Sequence, residues 1–190
     1  MESGITQLKD IYFNTFSSCK SNFKECSIDS INNVYLVSSI KECINYDLLK
    51  RILFFGRDSI CSADSLAFDE IKNEILFIEF KDSKFKSCKK KNTVQAGQDS
   101  FLINRLVISL LGNNIMNHIS RKYVLVLDET KNSNKLAGYY AAKRSNSLDG
   151  DDMYKFLKEK LVDYEYYGHK LFSEIEISSN IRFDDIVKNI

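Results

Sequence analysis

The stretch SADSLAFDEIKNEILFIEFKDS, residues 62–83, constrains the fold more than any other part of the chain. SADSLAFD alternates, EIKNE is polar, and ILFIEFKDS resumes the apolar pattern. Two such runs around a polar turn read as a β-hairpin. Side chains alternate along a strand, so Phe77, Glu79 and Lys81 share one face, and Leu76, Ile78 and Phe80 share the other. The second face is expected to be core, and the first to run from Phe77 at the core edge to a charged pair. Folding the hairpin about Ile71 or Lys72 opposes residues whose numbers sum to about 143–144, so Asp64 comes across from Glu79 or Phe80. Direct cross-strand partners lie ~5 Å apart at Cβ. Two carboxylates this close repel, which raises one pKa unless a cation neutralises them. Hard oxygen ligands at that density suit magnesium or manganese.

The rest of the chain narrows the options. A length of 190 residues with 44% apolar residues suits a single domain, 1–190, with a full core. A net charge of +1 excludes bulk basicity as the means of holding a nucleic acid, so such a partner needs a local patch. No apolar run approaches the ~20 residues of a spanning helix, so no membrane partner is expected. The N-terminus MESGITQLKD does not read as a secretory signal. Cysteines at 19, 26, 43, 61 and 88 contain no CxxC pair, and His118 and His169 are far apart. That pattern argues against zinc and for reduced, partly buried thiols in a cytoplasmic protein.

Residues 1–60 read as a helical N-terminal part. Ile5, Leu8, Ile11 or Tyr12, and Phe16 keep helical spacing, SIDSINNVYLVSSIKECI is helical or strand through Val34–Val37, and NYDLLKRILFFG is a helix on Leu48, Leu49, Ile52 and Leu53 closed by Gly56. Residues 61–128 form the motif-bearing core. There, KFKSCKKKN is a basic connector, TVQAGQDSFLINRLVISLLGNN a helix ended near Gly112-Asn113, and KYVLVLDE a buried central strand. Residues 129–190 hold a loop-like polar stretch with a short element at Gly138–Ala142, an amphipathic helix in DDMYKFLKEKLVDY, a strand in HKLFSEIEISS and a short closing helix. The order predicts an α/β fold, a mixed central sheet flanked by helices.

Asp64, fourteen intervening residues and then Glu79-Phe80-Lys81 resembles the PD-(D/E)xK motif of restriction-endonuclease-like nucleases. The resemblance covers roughly Cys61 to Asp128 and implies a restriction-endonuclease-like core. It implies Asp64 and Glu79 as catalytic metal ligands, the Phe80 carbonyl as a backbone ligand, and Lys81 as the group that orients the attacking water. Magnesium or manganese is the implied cofactor. Ala63 stands where the family name has proline. A glutamate from an N-terminal helix often completes the metal shell in that family, and Glu42 is the choice here over Glu25. A helix glutamine often lies near the site, which nominates Gln98.

Lys84, Lys86, Lys89, Lys90 and Lys91 follow the motif closely enough to meet phosphates, against the ordinary reading of a solvated loop. Tyr164, Tyr166 and Tyr167 are more readily core or rim than base-stacking groups. Asp69 lies too near the turn to face Glu79, and Asp128-Glu129 reads as a solvated strand terminus. The expected function is phosphodiester hydrolysis, in DNA ahead of RNA. A binding module on an inactive nuclease fold is the alternative, and an RNA-cleaving domain of the cap-snatching kind ranks below it. A homodimer fits the resemblance, because small nucleases that cut both strands often pair.

Overall fold

The computed structural model describes residues 4–29, 32–55, 60–85, 87–110, 119–166, 169–188 and 190, without the side chains of 87–90. Its centre is a mixed sheet of six strands, β1 (Lys20–Asn22), β4 (Glu42–Asn45), β5 (Ser65–Asp69), β6 (Glu74–Lys81), β7 (Ser120–Leu127) and β10 (Glu174–Ser179), side by side in that order. Neighbours from β1 to β6 are antiparallel, whereas β6, β7 and β10 run parallel. Two two-stranded ribbons stand apart from this sheet, β2 (Ile28–Asp29) with β3 (Val34–Tyr35), and β8 (Glu165–Tyr166) with β9 (His169–Lys170).

The hairpin forms where the sequence places it. Ser65 faces Ile78 and Asp69 faces Glu74, so opposed residue numbers sum to 143. The turn has two local causes. Asp69 Oδ1 accepts from the Lys72 amide at 3.0 Å, and Asn73 adopts φ 54°, a left-handed conformation that asparagine tolerates.

Both faces of β6 are core, which corrects the expectation that the Phe77–Lys81 face is only an edge. Leu66, Phe68, Ile75, Phe77, Tyr123 and Leu125 bury the larger core. Onto it pack α1 (Gly4–Thr15) through Ile5, Leu8 and Tyr12, α3 (Tyr46–Leu53) through Tyr46 and Leu49, and α6 (Asp152–Leu161) through Met153, Leu157 and Leu161. The same core receives α4 (Ser87–Leu110) through Phe101, Ile103 and Val107, and α5 (Glu129–Arg144) through Leu136 and Tyr139. Ala67, Leu76, Ile78, Phe80, Val124 and Val126 face the other way, under Phe23 of α2 (Phe23–Cys26) and Phe183 of α7 (Phe183–Ile186). A strand flanked by a parallel neighbour is covered on both sides, so Glu79 is enclosed at 2% exposure. Each fully buried aromatic here contributes roughly 1.5–3 kcal/mol.

Three other expectations change. The described residues of 20–45 form short strands, a four-residue helix and connecting chain, and no second long helix. Leu48 and Ile52 of α3 face solvent; Tyr46 and Leu49 carry its buried stripe, and Gly56 lies outside the described residues. The polar segment after β7 is the helix α5, started by Asp128, whose Oδ1 accepts from the Thr130 amide at 2.8 Å. Asp128 is thus a buried helix cap and not a solvated strand end. No helix among the described residues is long and apolar enough to cross a membrane.

Candidate active site

The carboxyl ends of the three parallel strands lie level, with Lys81 beside Leu127 and Leu127 beside Ser179. Open α/β sheets form crevices at such ends. The β5–β6 ladder stops at this edge. The Asp64 amide still donates to the Ile78 carbonyl at 2.9 Å, and the Asp64 carbonyl accepts from Tyr46 at 3.0 Å. One step further along β6, the Phe80 amide finds a carboxylate in place of a strand carbonyl, and donates to Asp64 Oδ2 at 2.5 Å. The N–H and C=O of a strand residue point to the same side, so the Phe80 carbonyl also looks toward the Asp64 side.

Continuing the hairpin register by one pair sets Asp64 opposite Glu79. Lys81 follows Glu79 by two positions and so shares its face; its Nζ is ion-paired with Glu79 Oε1. Glu79 Oε2 is buried and has no hydrogen-bond partner. Burial pushes the Asp64 carboxyl well above the usual carboxylate range, and the Glu79 charge adds to the shift. Burial also raises Glu79, although Lys81 opposes it. Burial alone would depress the Lys81 ammonium, but Glu79 and Asp64 outweigh it and hold Lys81 above its ordinary value. The three groups form one electrostatic unit that is short of positive charge.

A further acid stands beside them that sequence reasoning missed. Asp47, in the first turn of α3, accepts from Ser62 Oγ at 2.6 Å and pairs with Lys50 at 3.0 Å. Its charge contributes to raising both Asp64 and Glu79. The available signal was the N-cap Asn45, which places a helix start, and hence Asp47, next to the strand end. Glu42 is not brought to this place. In the β4–β5 register Ile44 faces Leu66, so Glu42 falls beside Phe68, four residues and about 13 Å along the strand from Asp64. It is exposed and lines a separate cavity of about 190 Å³ with Lys9 and Lys41.

The site opens into a cavity of about 240 Å³. Asp64, Phe80, Lys81, Asp82 and Ser83 form one wall, and Cys26, Ser27, Ile28 and Asp29 the other. A larger cavity, about 380 Å³, lies between α5, β10 and α7, but its Lys143 is paired with Glu176 and its Arg182 stacks on Tyr140. The loop after Lys81 is pinned by Asn132, whose Oδ1 accepts from Phe85 at 2.8 Å and whose Nδ2 donates to Ser83 at 3.2 Å. Lys131 bridges Asp82 and Asp128 beside it.

The remaining sequence candidates scatter. Lys84 is exposed on the loop after Lys81. Residues 87–91 belong to the first turns of α4, so the expected connector is mostly helix; Lys91 is exposed on it. Lys86 and the side chains of Lys89 and Lys90 lie outside the described residues. Gln98 lines a different cavity of about 200 Å³, with Tyr164 and Tyr166 at its rim. Tyr167 also lies outside the described residues.

Among the described residues no three His, Cys, Asp or Glu side chains stand ready-made as a metal-holding group. The donor set at Asp64 and Glu79 still fits a hard cation, since it offers carboxylate oxygens, one of them buried without a partner. Comparison of the chain with protein-family models, curated proteins and solved structures gave no match. Its class therefore rests on its own architecture. It is a mixed α/β protein whose six-stranded sheet is flanked by helices, with a carboxylate–lysine cluster at one end of the central strands.

Proposed function

We propose that this protein is a metal-dependent nuclease of the PD-(D/E)xK kind, acting most readily on DNA, with Asp64, Glu79 and Lys81 at its centre. The observation that carries the reading is the clustering of Asp64, just ahead of β5, with Glu79 and Lys81 of β6, with Glu79 Oε2 buried and unpartnered. The order β5, β6, α4, β7, with β7 parallel to β6, supports a restriction-endonuclease-like core.

Asp64 and Glu79, with the Phe80 carbonyl, would hold magnesium or manganese. The ion would supply Lewis-acid polarisation and a water that ionises near neutral pH. The chain's own groups do the rest. The Phe80 amide fixes the Asp64 carboxylate, and Glu79 fixes Lys81 Nζ at the mouth of the cavity. From there Lys81 donates to the attacking water or to a non-bridging phosphate oxygen. Its charge offsets the negative charge that grows on the phosphate.

A second reading, a binding module on an inactive nuclease fold, is favoured by one observation: Lys81 already neutralises part of Glu79. Incubating the protein with labelled plasmid, linear duplex, single-stranded DNA and RNA, with magnesium or manganese, separates the two. Cutting that disappears in Asp64→Ala supports the nuclease. Nucleic-acid binding without cutting, and without a manganese-induced rise in melting temperature, leaves the binding module. Cutting of RNA alone moves the substrate to RNA.

A further inference from the structure

Cys26 ends α2 and Cys43 lies in β4. Both are free thiols, and their sulfurs are 3.6 Å apart. Cys43 is fully buried, whereas Cys26 is half-buried and lines the cavity that holds Asp64 and Lys81. A movement of about 1.5 Å, the scale of a side-chain adjustment, separates this contact from a disulfide bond length of about 2.05 Å. We propose that Cys26 and Cys43 are a peroxide-responsive thiol pair, in which Cys26 is oxidised first and Cys43 resolves it. This stands apart from the nuclease reading.

The asymmetry of the pair assigns the roles. Cys26 is the member of the pair that lines the cavity, so an oxidant entering there meets it first. A cavity-lining thiol in contact with a buried partner thiol is the arrangement that senses oxidants.

The oxidant is a hydroperoxide. The Cys26 thiolate attacks its terminal oxygen and the O–O bond breaks. The oxyanion released takes up the proton that Cys26 lost, and Cys26 becomes a sulfenic acid. Cys43 then gives up its proton, and its sulfur attacks that of Cys26. The S–S bond forms, the S–O bond breaks, and hydroxide leaves with that proton as water. Two thiols are oxidised by two electrons, and one peroxide is reduced. The product ties α2 to β4 and fixes the cavity wall across from Asp64.

The test treats the whole reduced chain with a mild excess of hydrogen peroxide, blocks remaining thiols with iodoacetamide and digests with trypsin. The expected product is peptide 25–41 joined to peptide 42–50, lighter by two hydrogens and separated again by dithiothreitol. Cys43→Ser should stop at a Cys26 sulfenic acid that dimedone traps, and Cys26→Ser should leave Cys43 unoxidised. Alkylation of both cysteines after peroxide overturns the proposal. So does pairing of Cys26 with another thiol, or its passage to sulfinic acid while Cys43 stays free. The wild-type digest decides alone if either variant does not fold.

Discussion

The amide of Phe80 donates to Asp64 Oδ2 at 2.5 Å, across the point where the β5–β6 ladder ends. The backbone of the strand that carries Glu79 and Lys81 thereby orients the carboxylate opposite them. Removing Asp64 and removing Lys81 should therefore have different consequences. Lys81→Ala keeps both carboxylates and deletes a competing cation, so manganese still raises the melting temperature while cleavage falls by about 10²–10³. Asp64→Ala loses both the manganese-induced shift and cleavage. Melting curves with and without manganese, run beside a plasmid-nicking assay, check the pair. Unchanged cleavage in both variants would assign the cutting to a contaminant.

Protonation of the same group predicts a dependence on pH. Asp64 is raised on folding, first by burial and then by Glu79. A carboxyl raised in this way binds its proton more tightly in the folded state. Its stabilising contribution is complete below the ordinary carboxylate pKa of ~4, and is lost as pH climbs through the raised folded value. Asp64→Asn keeps an acceptor for the Phe80 amide and has no charge to bury. Without divalent metal it should melt above wild type at pH 8 and with wild type at acid pH, by roughly 2–4 °C for each kcal/mol recovered. Manganese should reverse the order at pH 8, because only the wild type gains the ligand's stabilisation. Identical melting at pH 8 without metal would place Asp64 in water.

Asn132 is expected to matter for stability before it matters for chemistry. It is 3% exposed and holds both Phe85 and Ser83 in the loop that follows Lys81. Asn132→Ala leaves the buried Phe85 amide without its acceptor, a loss of about 1–3 kcal/mol. Asn132→Asp keeps that acceptor but cannot donate to Ser83, so it should melt between wild type and the alanine variant. Melting of all three proteins at the same temperature would rule out Asn132 as the pin of this loop.

The exposed lysines make a prediction about salt. If Lys84 and Lys91 meet phosphates, replacing both with alanine lowers the slope of log K against log salt by about 0.9 per contact on duplex DNA, and about 0.7 on single strands. Melting should not change, because both side chains are exposed. Fluorescence anisotropy across a salt series reads the slope, and an unaltered slope leaves both lysines as solvated surface.

The hairpin register was legible because two local signals fix it, the alternation on either side and a turn made by Asp69 and Asn73. That register delivered Asp64, Glu79 and Lys81 to one face. Asp47 was hidden, since an acid in the first turn of a helix already has an ordinary explanation in the helix dipole. Glu42 was misplaced because β4 is only four residues long and is defined by partners, β1 and β5, distant in sequence or not recognisable as strands. Burial of Glu79 was underestimated because a two-residue period carries no information about which helices pack over each face of the sheet. The helix α5 escaped notice because it buries only Asn132, Leu136 and Tyr139, too few for an apolar stripe.

The two walls of the cavity at Asp64 are held in place by unequal means. One is built around the end of β6, clamped between β5 and β7 and covered above and below. The other is the end of a four-residue helix running into a ribbon of two-residue strands, outside the main sheet. The molecule resembles a bench vise, with one jaw bolted to the frame and the other on a short screw. The bolted jaw carries Asp64 and Lys81, so their spacing is settled by the sheet. The second jaw sets the width of the opening, and substitutions between Cys26 and Tyr35 can reset that width without moving Glu79 or Lys81.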